Sequence, residues 1–518
     1  MTSATPAIEI APAKATRREW IALGVIALPC LVYAMDLTVL NLALPAISAD
    51  LRPSASELLW IIDIYGFMVA GLLITMGTLG DKLGRRRLLL IGAAAFAAAS
   101  VAAALSTTAH ALIATRALLG IAGATLAPST LSLISNMFRD ERERRVAIGI
   151  WISGYSVGGA IGPLVGGVIL QYFAWPAIFW AAVPVMLLLL MVGPFLLPEY
   201  RDPEAGRLDF GSVGLSLIAV LGGVFALKQA AEGNGGALTG ATAALGLAAG
   251  VAFVRRQRRI DYPLLDLKLF GQPRFAAAIC TYALTSFAMF GVYIFISQHL
   301  QLVLGLSPLV AGLCTVPWAL SFVVGSMLTP AVAQRWSAPR TMLGGLALAA
   351  LGFALMTLVD SPHGLFALIA GMTLMGIGMA PVFTLGNDIV ISSAPPERAG
   401  AASALSETSS ELAGALGIAV FGSLATSLYR SGMAGKLPAG LPADSVAETF
   451  TLGGALTVAE RLPETLAEPL RLAARAAFVD GLQAAAVFGT AIMVFSGLLA
   501  WRMLRTPGAP VVVTTPAP

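Results

Sequence analysis

Glu407 and Glu411 stand four residues apart in a long apolar stretch that contains no lysine or arginine to neutralise them. At that spacing both carboxylates share one face of a helix. Two acids that repel each other in poorly hydrated surroundings do not both stay ionised, so at least one is expected to hold a proton until a cation arrives. A cation and a proton would then compete for the same oxygens, each favouring loss of the other. The plainer alternative is a pair of neutralised acids hydrogen-bonded to a neighbouring helix.

Asp36, Asp63 and Arg116 also lie inside apolar stretches, with Asp388 and Asp480 nearer to stretch ends. A charge at the centre of a membrane helix costs about 2.5 to 3.5 kcal/mol even on the lenient insertion scale, so each one needs a reason to be there. Successive crossings in opposite directions place Asp36, Asp63 and Arg116 at a similar depth, in the outer part of the membrane, where Asp36 can pair with Arg116. Such a pair is either a static brace or a proton site whose affinity Arg116 tunes. Trp60, Tyr65, Trp151, Tyr155, Phe290 and Tyr293 offer cation–π surface around a bound cation. Met372, Met375 and Met379 share a helix face and offer an adaptable wall, with ordinary packing as the alternative for all of these.

The elements that must position these residues are membrane helices. The chain of 518 residues is 57% hydrophobic and 12% charged, with a mean hydropathy of +0.84, whereas an ordinary globular domain has about a quarter of its residues charged. Apolar stretches of about 20 residues, each enough for ~30 Å of hydrocarbon, fall near 20–44, 57–79, 88–106, 110–133, 146–170, 176–197, 210–229, 237–254, 275–298, 308–331, 341–359, 364–386, 402–426 and 478–501. Fourteen spans put both termini on one side, and most of the 32 Lys and Arg residues fall in the tails and loops of that side, which marks it as cytoplasmic. The net charge of +4 is therefore spent on topology and does not point to nucleic acid. Lys14, Arg17 and Arg18 before the first span resemble a signal-peptide head, but the span is long and lacks a small-residue cleavage site, so it is expected to be retained.

The expected organisation is a cytoplasmic tail at 1–19, a six-helix half at 20–200, two inserted helices with linkers at 201–273, a second six-helix half at 274–505 and a tail at 506–518. The segment Leu119 to Gly167 resembles Met375 to Gly422, which matches span five with span thirteen. Parallel halves of this kind expose a central site to each side in turn. The run Arg255-Arg256-Gln257-Arg258-Arg259 closes the insertion as a topological anchor. The outer loop at 427–477, with Pro438, Pro442, Pro463 and Pro469, is expected to be either a structured cap or a flexible connector.

Two glycine patterns complete the reading. Gly149, Gly158, Gly162-Pro163 and Gly166-Gly167 lie in span five, where glycine and proline persist only if a neighbouring helix packs very closely or a bend is required. A hinge or seal between moving helices is implied. The loop after span two reads Gly77-Thr-Leu-Gly-Asp81-Lys-Leu-Gly84-Arg85-Arg86-Arg87, and an acid, a tight Gly84 turn and an arginine cluster can build a charged latch to a neighbouring helix end, with a plain topological anchor as the alternative.

The string in span five resembles the antiporter signature of the major facilitator superfamily. With the loop after span two, Asp36-Leu-Thr-Val-Leu-Asn-Leu-Ala-Leu-Pro45, Arg116-Ala-Leu-Leu-Gly120 and Leu59-Trp60-Ile-Ile-Asp63-Ile-Tyr65, the chain resembles the fourteen-span drug:proton antiporters of that superfamily, especially exporters of quaternary ammonium antiseptics and dyes. The resemblance implies an all-α polytopic fold of two six-helix halves plus two inserted helices, proton coupling, and small lipophilic cations as substrates. It also implies cation recognition by acids on span thirteen, which fits Glu407 and Glu411. Proton coupling is accordingly expected at Asp36, Arg116, Glu407 and Glu411, and substrate contact at Glu407, Glu411, Asp36, Trp60, Asp63, Tyr65, Phe290, Tyr293 and Met379. The latch is expected at Gly77, Asp81, Gly84, Arg85 and Arg86.

The chemistry of an enzyme is not indicated. His110, His299 and His363 fall at outer helix ends, Cys30, Cys280 and Cys314 are scattered, and no Gly-rich nucleotide-binding motif is present, so neither a cofactor, a metal nor ATP is expected. The reading is a secondary exporter in a bacterial-type inner membrane, driven by the proton gradient, surrounded by membrane lipids and functional as a monomer. Export of a neutral or anionic metabolite or lipid is the alternative, and a non-transporting receptor or scaffold is a further one.

Overall fold

A computed structural model describes residues 14–201, 209–231, 235–260, 263, 271–360, 363–392, 399–438, 441 and 443–504. The described residues are helical throughout their ordered elements. In chain order these are α1 (Arg17–Leu51), α2 (Ala55–Leu83), α3 (Arg85–Ala104), α4 (Ala109–Gly123), α5 (Leu126–Met137), α6 (Glu141–Tyr172), α7 (Ala177–Trp180), α8 (Ala182–Leu196), α9 (Phe210–Ala231), α10 (Ala237–Gln257), α11 (Pro273–Gln298), α12 (Pro308–Trp336), α13 (Ala338–Met356), α14 (Gly364–Ser392), α15 (Ala399–Met433), α16 (Ala443–Val446), α17 (Leu452–Ala459) and α18 (Glu464–Leu504). Hydrocarbon supplies no hydrogen bonds, so a helix that satisfies its own backbone is the form available to such apolar segments. Thirteen helical segments among the described residues are long and apolar enough to cross a membrane. The remaining expected span lies in α6, where the apolar run Val157–Tyr172 is shorter but belongs to one continuous 32-residue helix.

Local signals set the helix starts. The Thr16 hydroxyl accepts from the Arg18 amide at 3.3 Å and Glu19 completes a capping box on α1. Thr108 caps α4 by accepting from Ala111 N at 3.2 Å, and Asp140 caps α6 by accepting from Glu143 N at 2.9 Å. The stretch expected as one span at 110–133 is two helices, α4 and α5, joined through Ala124 and Thr125. The expected sixth span is likewise divided into α7 and α8 at Ala181.

The chain forms two compact units. The first comprises Met1–Pro53, Trp60–Leu217 and Leu306–Leu313. Its tightest seam joins α1 and α6. A Cβ at Gly158 would overlap the Leu31 carbonyl, one at Gly162 would overlap Thr38 Oγ1, and one at Gly166 would lie 2.8 Å from Val39 Cγ1. Glycines four residues apart thus let the two backbones approach as in other small-residue membrane seams. At one end of α1, Trp175 Nε1 donates to Asp50 Oδ2 at 2.8 Å and fixes α7 beside it.

The second unit comprises Ser54–Leu59, Ile218–Gly305 and Cys314–Pro518. Here α11 and α15 form the corresponding close seam, with Gly417 against the Phe287 carbonyl and the Ser286 and Ser410 hydroxyls 2.7 Å apart. A second seam joins α13 and α14, where a Cβ at Gly378 would lie 2.5 Å from Ala349 N and one at Gly352 would lie 2.7 Å from Met375 N. The described part of the long loop expected on the outer side forms a cap of α16, a short turn at Glu448–Phe450, α17 and the first turns of α18. Tyr429 Oη donates to Thr449 O at 3.2 Å, the Arg430 guanidinium lies 4.5 Å from the Phe450 ring centroid, and Arg475 Nε donates to Leu302 O at 3.2 Å. These bonds tie the cap to α15 and to the π-helical turn His299–Val303 that ends α11.

Candidate functional site

The residues with most chemical consequence meet in the first unit, where α1, α2 and α4 pack together. Gly120 makes this possible: a Cβ there would lie 2.6 Å from Tyr65 O and 2.7 Å from Met68 Cβ, so α4 lies directly against α2. One turn earlier on the same face, Arg116 is 1% exposed. Its Nη1 donates to Asp36 Oδ2 at 2.5 Å, its Nε donates to Ile61 O at 3.2 Å, and its guanidinium carbon lies 4.6 Å from the Tyr65 ring centroid. Asp63 is 1% exposed and sits on α2 between Ile61 and Tyr65. Tyr33 of α1 closes the cluster, its ring centroid 5.9 Å from that of Tyr65.

The exposures differ in a way that matters. The Asp36 side chain retains 16% exposure against 1% for Arg116. A guanidinium stays charged at any physiological pH, so the group in this pair able to give up or accept a proton is the carboxylate, and it is the more accessible partner. The arrangement joins α1, α2 and α4 through one buried guanidinium.

The glycines of α6 pack behind this cluster, Gly162 lying against Met35 and Thr38, one residue before and two residues after Asp36 on α1. Gly158 and Gly166 continue the same stripe, Gly167 comes close to Pro308 O at 2.8 Å, and Pro163 O lies 2.5 Å from where a Cβ of Gly312 would stand. Gly149 lies in α6 as well.

The loop after α2 is built around an acid that sequence reasoning missed. Gly84 adopts φ 108°, and a Cβ there would meet Glu199 Oε1 at 2.5 Å. Glu199 also accepts from Arg86 N at 3.1 Å and lies 3.6 Å from Arg86 Nε and 3.7 Å from Arg87 Nε. Arg86 Nη1 donates to Leu197 O at 3.0 Å, so the start of α3 is clamped to the end of α8. Arg85 is buried, folds back over Gly80 and donates to Pro128 O at 3.1 Å; Gly77 faces Pro128 as well. The Asp81 side chain, expected as the acid of this latch, lies outside the described residues. The available signal was an acid at the head of Glu199-Tyr200-Arg201, directly after an apolar stretch.

The second unit holds the paired acids of α15. Glu411 is half-buried, and the side chain of Glu407 lies outside the described residues. Ser410, between them, hydrogen-bonds Ser286 of α11, and Gly414 packs on the Phe290 ring with a would-be Cβ 2.7 Å from Phe290 Cδ2. Tyr293, one turn along α11, is buried beside Trp318, with ring centroids 5.3 Å apart. Asp388 and Asp480 are exposed.

The other residues expected near a substrate have the following surroundings. Met372, Met375 and Met379 are all buried, Met375 in the seam with α13. Trp60 lies against Phe67 at 6.4 Å, and Trp151 Nε1 donates to Thr130 Oγ1 at 3.0 Å. The Tyr155 side chain lies outside the described residues. His299 is 1% exposed within the π-helical turn.

Comparison with known proteins bears on what this arrangement serves. The profile described as Major Facilitator Superfamily matches residues 26–418. The chain belongs to the major facilitator superfamily. It is thus a multi-pass membrane protein and a secondary transporter rather than an enzyme. It is 45% identical to the multidrug efflux pump LfrA of Mycolicibacterium smegmatis, over 92% of this chain and 94% of that one. It is 34% identical to the methyl viologen resistance protein SmvA of Salmonella typhimurium, over 89% of this chain and 93% of that one. Such relatives place it with the fourteen-span drug:proton antiporters that its motifs resemble. A bacterial homologue of the human lysosomal transporter Spinster, solved inward-facing and unoccupied, superposes with a TM-score of 0.66 at 17% identity, covering 95% of this chain and 100% of that one, and it shares the fold.

Proposed function

We propose that this protein exports lipophilic cationic drugs, antiseptics and dyes of the quaternary ammonium type in exchange for protons, by alternating access. The observation that carries the proposal is the Asp36–Arg116 pair, in which a partly accessible carboxylate is held by a fully buried cation across α1 and α4. Protonation of Asp36 from outside releases Arg116, loosens the α1–α2–α4 cluster and favours one state of the cycle. Loss of the proton to the cytoplasm restores the pair. Asp63 and Tyr65 share that cluster and are assigned to substrate and proton handling with it.

Glu411 and Glu407 are assigned to cation recognition, with Phe290 and Tyr293 of α11 as the neighbouring aromatic surface. The similarity to LfrA, a multidrug efflux pump, and to SmvA, a methyl viologen resistance protein, supports this reading. The distribution of lysine and arginine supports a bacterial cytoplasmic membrane with both termini cytoplasmic. The glycine stripe of α6 is assigned as the surface on which α1 moves or seals, and the Arg85–Arg86–Glu199 clamp as a cytoplasmic latch.

The test uses the full chain in proteoliposomes with an imposed pH gradient and a lipophilic dye cation. A proton-coupled exporter moves the dye against its own gradient, and collapse of the pH gradient abolishes the movement. A scaffold moves nothing, and an exporter of neutral metabolites leaves the dye at equilibrium.

A further inference from the structure

The two inserted helices carry a feature that export does not use. Along one side of α9 and α10 runs a groove of about 730 Å³. Its floor is made of small residues, Ala219 and Gly223 from α9 with Ala243 and Gly250 from α10, where α10 comes so close that a Cβ on Gly246 would stand 2.9 Å from Gly223 N. Its far end is formed by Arg255 and Arg258, both exposed. From Ala243 to Arg258 the groove follows α10 for about 22 Å at 1.5 Å per residue, which exceeds half of a ~30 Å hydrocarbon core.

The same helices are little covered by protein. Only 22% of the apolar window in α9 and 11% of that in α10 is buried, against 61% in α1 and 67% in α2. A smooth apolar channel that ends in two guanidinium groups has the polarity of an anionic phospholipid: acyl chain along Ala219, Gly223 and Gly250, phosphate at Arg255 and Arg258. A lipophilic cation has the apolar body but the wrong charge for that end.

We propose that the groove between α9 and α10 is a binding site for one anionic phospholipid, its acyl chain lying in the groove and its phosphate held by Arg255 and Arg258. The site is separate from the Asp36–Arg116 cluster and does not depend on what the protein exports.

The experiment titrates the full chain, delipidated in detergent, with phosphatidylglycerol or phosphatidylcholine and counts bound lipids by native mass spectrometry. Phosphatidylglycerol should bind one site more tightly than phosphatidylcholine. Arg255→Gln with Arg258→Gln should weaken that site at least tenfold, since both basic groups that would hold the headgroup phosphate are lost. Arg256→Gln with Arg259→Gln removes the same charge from residues that do not line the groove and should change it less than twofold. Gly250→Leu tests the acyl half: the nearest atom to a Cβ there is Ala219 Cβ at 3.7 Å, so the side chain enters the groove without prising the helices apart, and binding of the same site should fall. Equal loss in both arginine pairs would reduce the effect to general surface charge and overturn the proposal. So would unchanged binding in Gly250→Leu, or a lipid-free dimer that covers the groove.

Discussion

Replacing Asp36 with asparagine separates a proton site from a structural brace, because the two roles predict different changes in stability. Arg116 is 1% exposed and is supported by Asp36 Oδ2 at 2.5 Å, Ile61 O at 3.2 Å and the Tyr65 ring at 4.6 Å. Asp36→Ala removes the first and strands a buried cation, which costs about 3 to 5 kcal/mol in comparable pairs. Asp36→Asn keeps an oxygen able to accept from Nη1. It loses only the difference between a charge-assisted hydrogen bond, about 1.5 to 3 kcal/mol, and a neutral one, about 0.5 to 1.5 kcal/mol. The expected loss is therefore about 1 to 2 kcal/mol, and the protein should remain folded.

Two assays on the same preparations decide the matter: unfolding of the purified protein in detergent, and dye transport driven by a pH gradient in proteoliposomes. Asp36→Asn should retain most of the stability and lose gradient-driven transport, whereas Asp36→Ala should lose both. Full gradient-driven transport by a well-folded Asp36→Asn protein would refute the assignment of Asp36 to proton coupling. If instead Asn destabilised the protein as much as Ala, and transport fell only with the amount folded, the pair would be a brace.

Further outcomes follow from other parts of the two units. Gly158→Leu should stop turnover by pushing α1 away at Leu31, while Gly159→Leu, which has no atom within 4 Å of its would-be Cβ, should transport normally in the same liposome assay. Gly84→Ala should slow cycling and lower thermal stability, since φ 108° and Glu199 both oppose a side chain there; Glu199→Gln should weaken the clamp on Arg86 with a smaller loss, read by thermal unfolding. Changing Glu407 and Glu411 to Gln should weaken binding of lipophilic cations, and most of all dications, in fluorescence titrations. If protons compete with the cation at this pair, cation binding to the parent protein should tighten as the pH rises and the double variant should lose most of that dependence; equal pH profiles would remove the pair from the cation site.

Much of the fold was legible because a bilayer imposes a length and an apolar composition on every crossing. All fourteen expected stretches coincide with helices, although 110–133 breaks at Ala124 and Thr125, directly after Gly123. The meeting of Asp36 and Arg116 followed from depth and from the expense of an unpaired charge, so it too was readable. The glycines of α6 announced a close neighbour but not which one. A missing Cβ records that space is scarce, and only packing reveals that Leu31, Thr38 and Val39 of α1 fill it. Glu199 was missed for a related reason: it lies 113 residues beyond Arg86, and local spacing carries no information on such a pairing. The outer cap was undecidable in sequence because its helices are short and are held by particular bonds, such as Tyr429 to Thr449.

The central claim, obligatory exchange of a cation for protons, is tested most directly by recording proton flux with no pH gradient imposed. Liposomes containing the full chain and an internal pH-sensitive dye are given a lipophilic dication on one side, with the membrane potential clamped. Protons should move opposite to the dication, in wild type at a rate that saturates with dication concentration, and Asp36→Asn should show no such flux. Dication transport that proceeds at the wild-type rate with no accompanying proton movement would contradict the account.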